Sequence, residues 1–260
     1  MQVFVKLLKD LPVYEIIFFR AFFAFIFCLF FMLKNKIKIW GTNKRLLFLR
    51  GFFGTIALFC FFSTIHHMPL ANASVIHYLS PLFTSFFSIF FLKEKLKPIQ
   101  WSFFILSFIG IFLIKGFDHR VPILYFTLGV FSALFAGLAY NCIGKLKNSE
   151  DPLVIIFYFP LVTLPFITPY TIMNWVDPLP IQWLYLVGVG VCVQIAQYFM
   201  TLAYQTGKVS SLSLYNNLGP LFAVFFGLTL FKEGLLLVQF FGIFLVLLGV
   251  YLNTKAEEEN

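Results

Sequence analysis

The chain has 260 residues, of which 60% are hydrophobic, 21% aromatic and only 12% charged, with a mean hydropathy of +0.91. A soluble domain carries roughly twice that share of charge, so a water-exposed globule is excluded; 39 Phe against 4 Cys also excludes a disordered, collagenous or disulfide-stapled chain. The formal charge of +8 is not gathered into a basic stripe with interleaved exposed aromatics, so nucleic acid is not an expected partner, and an all-α polytopic protein of the lipid bilayer is the class that remains.

A helix crossing a hydrocarbon core of about 30 Å needs about 20 apolar residues, and the sequence predicts nine such spans. Residues 1–13 contain no signal peptide. The first span, 14–33, carries Glu15 near one end and Arg20 deeper. Five residues apart, they point about 140° apart around a helix, so they do not pair; they are the candidate coupling or structural charges. The second span, 46–65, opens on Leu49-Arg50-Gly51 and runs into His66-His67, with no Cys, Asp or third His to complete a metal site. The third, 69–92, places His77 and Tyr78 one turn before Pro81. A proline removes a donor and frees a carbonyl one turn upstream, so Pro81 is an expected hinge. Spans four to six are 99–115, 121–143 and 153–172, the fifth holding Tyr140 and Asn141. The seventh, 181–205, sets Gln194 and Gln197 on one face, with Tyr198 and Tyr204 beyond. The eighth, 209–231, has Asn216 and Asn217 ahead of a second hinge, Pro220, and the ninth is 235–253.

Polar groups within hydrocarbon normally face the bundle interior or a wet cavity. That makes His77, Tyr78, Tyr140, Asn141, Gln194, Gln197, Asn216 and Asn217 the candidate substrate-binding residues, with interhelical hydrogen bonding as the alternative role. Amides and phenols can hold a zwitterionic or ribose-bearing solute, and aromatic faces can accept a cation. Glu15 and His77 are the plausible proton carriers. Cys28, Cys60, Cys142 and Cys192 lie in apolar runs without CxxC spacing and read as small buried hydrophobes. No cofactor and no metal is expected.

Loop charge gives direction. Lys34, Lys36, Lys38, Lys44, Arg45, Lys93, Lys95, Lys97, Lys145, Lys147, Lys208 and Lys255 fall on one side, against Lys6, Lys9, Lys115, Arg120 and Lys232 on the other. Loops rich in Lys and Arg stay in the cytoplasm, so the 34–45 loop and the C-terminus are expected there, in a bacterial inner membrane; the excess of Lys and Phe is what an AT-rich bacterial genome would encode. This count starts the N-terminus outside.

The chain also repeats itself. Ser80 to Phe87, then Lys93-Glu94, Gln100 and Gly110, recur in one ungapped register 139 residues later as Gly219 to Phe226, Lys232-Glu233, Gln239 and Gly249. His77 and Tyr78 map onto Asn216 and Asn217, and a stretch from Pro12 matches one from Pro152 with a shift of one more residue. Each repeat holds an odd number of helices, so matching segments cross in opposite directions. This is the inverted duplication of many secondary transporters, whose sites lie near the midplane at the repeat interface. Lys93-Glu94 and Lys232-Glu233 close helices, where a cation complements the dipole.

Pro69-Leu-Ala-Asn-Ala-Ser, Ser80-Pro81-Leu-Phe with Leu92-Lys93-Glu94, and Gly219-Pro220-Leu-Phe with Phe231-Lys232-Glu233, Gln239, Gly242 and Gly249 resemble the drug/metabolite transporter superfamily, EamA-type. Pro12, Phe19-Arg20 and Leu49-Arg50-Gly51 fit the same habit. The resemblance implies two inverted five-helix repeats: residues 1–115 as a first repeat lacking its first helix, 121–253 as the second, and 254–260 as a charged tail. One departure is Phe103, where the second repeat has Gly242, so close packing is expected to differ there. The counterpart of span 121–143 falls almost wholly before Met1, so the expectation is either a first helix lost by gene decay or, the favoured reading, a start assigned too far downstream, with about 20 further apolar residues encoded upstream. The function implied is secondary transport of a small organic metabolite, of the S-adenosylmethionine or amino-acid kind, with a homodimer as the candidate assembly. The competing class is an integral membrane enzyme acting on lipid or a lipid-linked substrate, for which no paired intramembrane Asp, GxSx loop or HExxH is present. A channel is opposed by the inverted repeat and the lack of a filter-like segment.

Overall fold

The computed structural model describes residues 1–91, 93, 96–116, 120–147, 149–206 and 218–258. Among them are eleven α-helices and no strands: α1 (Gln2–Leu7), α2 (Val13–Lys34), α3 (Lys44–His67), α4 (Leu70–His77), α5 (Ser80–Phe91), α6 (Pro98–Gly116), α7 (Ile123–Leu146), α8 (Pro152–Met173), α9 (Pro180–Thr206), α10 (Leu218–Thr229) and α11 (Leu237–Glu258). Eight segments, α4 and α5 together counting as one, are long and apolar enough to cross a membrane, and α10 supplies a shorter apolar helix, Gly219–Thr229. Large apolar side chains such as Phe30, Phe90, Phe112 and Leu237 point outward while Gln100, Gln239 and Asn253 are fully buried. That inversion of a soluble surface is what a lipid-facing bundle requires.

The ends of the helices show why certain residues recur. In α6, the Lys97 amide donates to Gln100 Oε1 at 2.7 Å; in α11 the Leu236 amide donates to Gln239 Oε1 at 2.9 Å; in α9 the Leu179 amide donates to Gln182 Oε1 at 2.8 Å. Each glutamine is the third residue of its helix and reaches back to the capping residue, half of a capping box. The matched pair Gln100 and Gln239 is therefore one helix start used twice. Lys93 and Lys232, also matched, both adopt a left-handed backbone, at φ 57° and 51°, where the chain leaves α5 and α10.

The span expected over 69–92 is broken: α4 stops at His77 and α5 begins at Ser80. Pro81 cannot donate to the His77 carbonyl, so the break lies just before the expected hinge. The expected span 209–231 lies partly outside the described residues, with Pro220 inside α10. The six-residue α1, too short for a span, was not among the expected helices.

The packing carries the twofold relation between the repeats. α2 lies along α8 and α6 along α11, each pairing a helix with its counterpart. A Cβ on Gly110 would stand 2.6 Å from the Gly242 carbonyl oxygen, and one on Gly249 2.8 Å from the Phe103 carbonyl oxygen. Shifting each member by 139 residues turns the first contact into the second. The same shift turns Gly51 against Val162, at 2.8 Å, into Gly190 against Phe23, at 2.9 Å. At Phe103 the helices still meet closely, because the Phe103 carbonyl, not its ring, faces Gly249, together with Ser107 Oγ.

Candidate functional site

A cavity of about 600 Å³ opens between α1, α2, α3, α4, α7, α8, α9 and α10, within the size range of small-molecule sites. Arg20 enters from α2, two turns inside it, and Arg50 from α3 at similar depth from the opposite end; both line the cavity while only 5% and 4% exposed. Both sit on Phe159 of α8, the Arg20 and Arg50 guanidinium carbons being 4.7 Å and 5.4 Å from its ring centre, and Arg20 also lies 5.9 Å from the Phe62 ring. Arg50 Nη2 donates to Gln197 Oε1 at 3.1 Å. Arg20 Nε and Nη1 and Arg50 Nε are buried and make no hydrogen bond.

Those contacts leave the charge undercompensated. Burial of an ion costs several kcal/mol even after relaxation. Cation–π contacts return about 0.5–2 kcal/mol each, and one hydrogen bond to a charged group about 1.5–3 kcal/mol. No Asp or Glu is among the described residues lining the cavity. The site is a largely apolar chamber whose described charged side chains, Arg20 and Arg50, are both cations.

The other walls carry His77, Tyr140 and Gln197. The His77 ring stacks on Phe61 with centres 4.1 Å apart, and its Nδ1 lies 2.7 Å from Ser132 Oγ, which donates to the Ala57 carbonyl at 2.9 Å. His77 is thereby fixed by α3 and α7 together. The structure thus brings Arg20, His77, Tyr140 and Gln197 of the sequence candidates to one cavity. The others lie elsewhere. Gln194 Nε2 turns toward Cys28 Sγ at 3.0 Å, because three residues along α9 rotate it onto α2. Asn141 Nδ2 donates to the Thr84 and Gly137 carbonyls at 2.9 and 3.0 Å and joins α7 to α5. Tyr78 is packed in the apolar core. Glu15 is fully buried in the first turn of α2, five residues before Arg20, where its Oε2 accepts from the Val176 amide at 3.3 Å. Tyr198 faces outward beside Phe199. Asn216 and Asn217 lie outside the described residues.

The sequence left two site residues unmarked. Arg50 carried the same signal as Arg20, a cation well inside a span. Phe159, one of 39 phenylalanines, carried none. A third residue missed is Glu233, for which dipole complementarity had seemed sufficient. Its Oε1 pairs with Lys6 Nζ at 3.1 Å and its Oε2 accepts from the Leu70 amide, the first residue of α4, at 2.6 Å. Lys6 also donates to the Met68 carbonyl. Leu70 itself lines the cavity, so this three-way latch of α1, α4 and the segment after α10 sits at the cavity's edge.

The model of the EamA-like transporter family matches residues 2–116 and 123–255. The chain is similar to the pseudopaline exporter CntI of Pseudomonas aeruginosa (strain UCBPP-PA14), 28% identical over 225 residues, which cover 86% of this chain and 79% of the relative. It is similar to human solute carrier family 35 member G1, 28% identical over 254 residues covering 89% and 68%. It is also similar to the S-adenosylmethionine uptake transporter of Rickettsia conorii (strain ATCC VR-613 / Malish 7), 26% identical over 230 residues covering 85% and 75%. One solved structure, 17% identical, superposes over 100% of this chain and 97% of its own with a TM-score of 0.70, a likeness of fold.

Proposed function

The chain belongs to the EamA-like transporter family, and from that premise we propose that it moves a small organic metabolite across a bacterial inner membrane by alternating access. The observation that carries this reading is the cavity lined by helices of both repeats, apolar over most of its wall with Arg20, Arg50, His77, Tyr140 and Gln197 among its polar groups. A site in that place can be presented to either face by rocking one repeat against the other. Residues 1–115 and 121–253 are the two moving halves. The solute binds among Arg20, Arg50, His77, Tyr140 and Gln197, and the 34–45 loop and the C-terminus lie in the cytoplasm, as the cation asymmetry requires.

The solute is of the S-adenosylmethionine or amino-acid kind. Support comes from the uptake transporter of Rickettsia conorii, which carries S-adenosylmethionine by its name, and from hydrogen-bonding and aromatic groups of the type that hold zwitterions. The test is uptake into proteoliposomes of the full chain, with labelled S-adenosylmethionine and a mixture of labelled amino acids. Saturable accumulation that is accelerated by unlabelled solute inside is expected. Product formation from labelled lipid without solute movement would overturn the reading in favour of an enzyme.

A further inference from the structure

We propose that the solute is recognised through an anionic group, a carboxylate or a phosphate, held between Arg20 and Arg50 over Phe159. The proposal rests on the transport reading and names the chemistry of its site. Two guanidinium groups from different helices converge on one ring. Three of their N–H-bearing nitrogens are buried without an acceptor, and no carboxylate is among the described residues lining the cavity beside them. Glu15, the one acid within the candidate spans, is turned away to the Val176 amide.

An aromatic ring steadies a cation but accepts little hydrogen bonding, so the N–H edges keep their capacity. Guanidinium forks match two oxygens of a carboxylate or phosphate, and in a low-dielectric chamber such charge-assisted bonds are strong. A purely cationic solute is repelled by the same pair. A zwitterion enters with its anionic end toward Phe159 and its remainder toward Tyr140 and His77.

The test measures the unfolding temperature of the full chain in detergent at low salt against four probes: succinate, inorganic phosphate, the neutral succinamide and the dication putrescine. Stabilisation by succinate identifies a carboxylate site and by phosphate alone a phosphate site; succinamide and putrescine are expected to do nothing. Arg20→Gln and Arg50→Gln each weaken the effective anion about tenfold or more, the worth of one charged hydrogen bond, and Arg20→Lys restores part of it. Gln197→Glu provides a check that needs no ligand. A carboxylate beside Arg50 supplies the missing counter-charge, so this variant raises the unfolding temperature and abolishes the anion response. Stabilisation by succinamide equal to that by succinate, no response to either anion, or a lowered unfolding temperature in Gln197→Glu would each overturn the proposal. If an anion binds through both arginines yet proteoliposomes neither accumulate nor exchange it, the transport reading fails and the anion site stands. If a neutral solute is carried and the arginine variants carry it equally well, transport stands and the anion site fails.

Discussion

A cation two turns inside an apolar helix is visible in any sequence, but what it faces depends on the helix's rotation. Arg20 and Arg50 share depth and burial, and the feature that unites them is the ring of Phe159. Phe159→Leu keeps the volume apolar and removes both cation–π contacts, so it is expected to lower stability by about 1–3 kcal/mol. The same change at Phe30, which is 60% exposed and faces outward, is expected to have little effect; thermal unfolding of the two variants side by side is the check. Depth was legible residue by residue; azimuth was not. Gln194 and Gln197 share a face by spacing, yet one turns to Cys28 and the other to Arg50, because three residues of helix leave a rotation of about 60° that only the neighbours resolve. Tyr140 and Asn141, adjacent and so about 100° apart, separate more widely, Tyr140 to the cavity and Asn141 to the Thr84 carbonyl.

At the scale of helices, the repeat register carried most of what the sequence revealed, and the structure supplies its reasons. The matched glutamines are caps and the matched glycines are contacts. Gly110 and Gly242 let α6 and α11 approach until a Cβ on either would be 2.6 Å from the other's carbonyl. Gly242→Ala is therefore expected to force the helices apart at a cost of about 1–3 kcal/mol, whereas Gly219→Ala, with nothing within 4 Å of the new carbon, is tolerated. Comparing unfolding temperatures of the purified variants measures both. Gln239→Ala removes the acceptor of the Leu236 amide and should cost about 1 kcal/mol, as loss of a helix cap does. The break between α4 and α5 was legible through Pro81. The latch of Lys6, Glu233 and the Leu70 amide was not, since it joins elements that neither the register nor the helical period relates.

The molecule as a whole was the most legible level, because hydropathy acts over long stretches and does not need side-chain rotation. The topology makes a direct prediction: a cysteine at Asn35, in a chain with its native cysteines replaced, reacts with impermeant reagents only from the cytoplasm, and one at Asn174 only from outside. Reaction of both from one face would remove the inverted relation. The central claim is that one cavity is reached from each end of the bundle in turn. It is tested most directly by a single cysteine at Ala136 in the cavity wall, combined with Lys6→Cys and Glu233→Cys bridged by a short bifunctional thiol reagent before the reporter is labelled. With the bridge open, impermeant labelling of residue 136 is expected from both faces. With it closed, labelling from the latch end is lost and labelling from the Lys-rich end remains. Labelling that persists from both faces through the closed bridge would contradict the account.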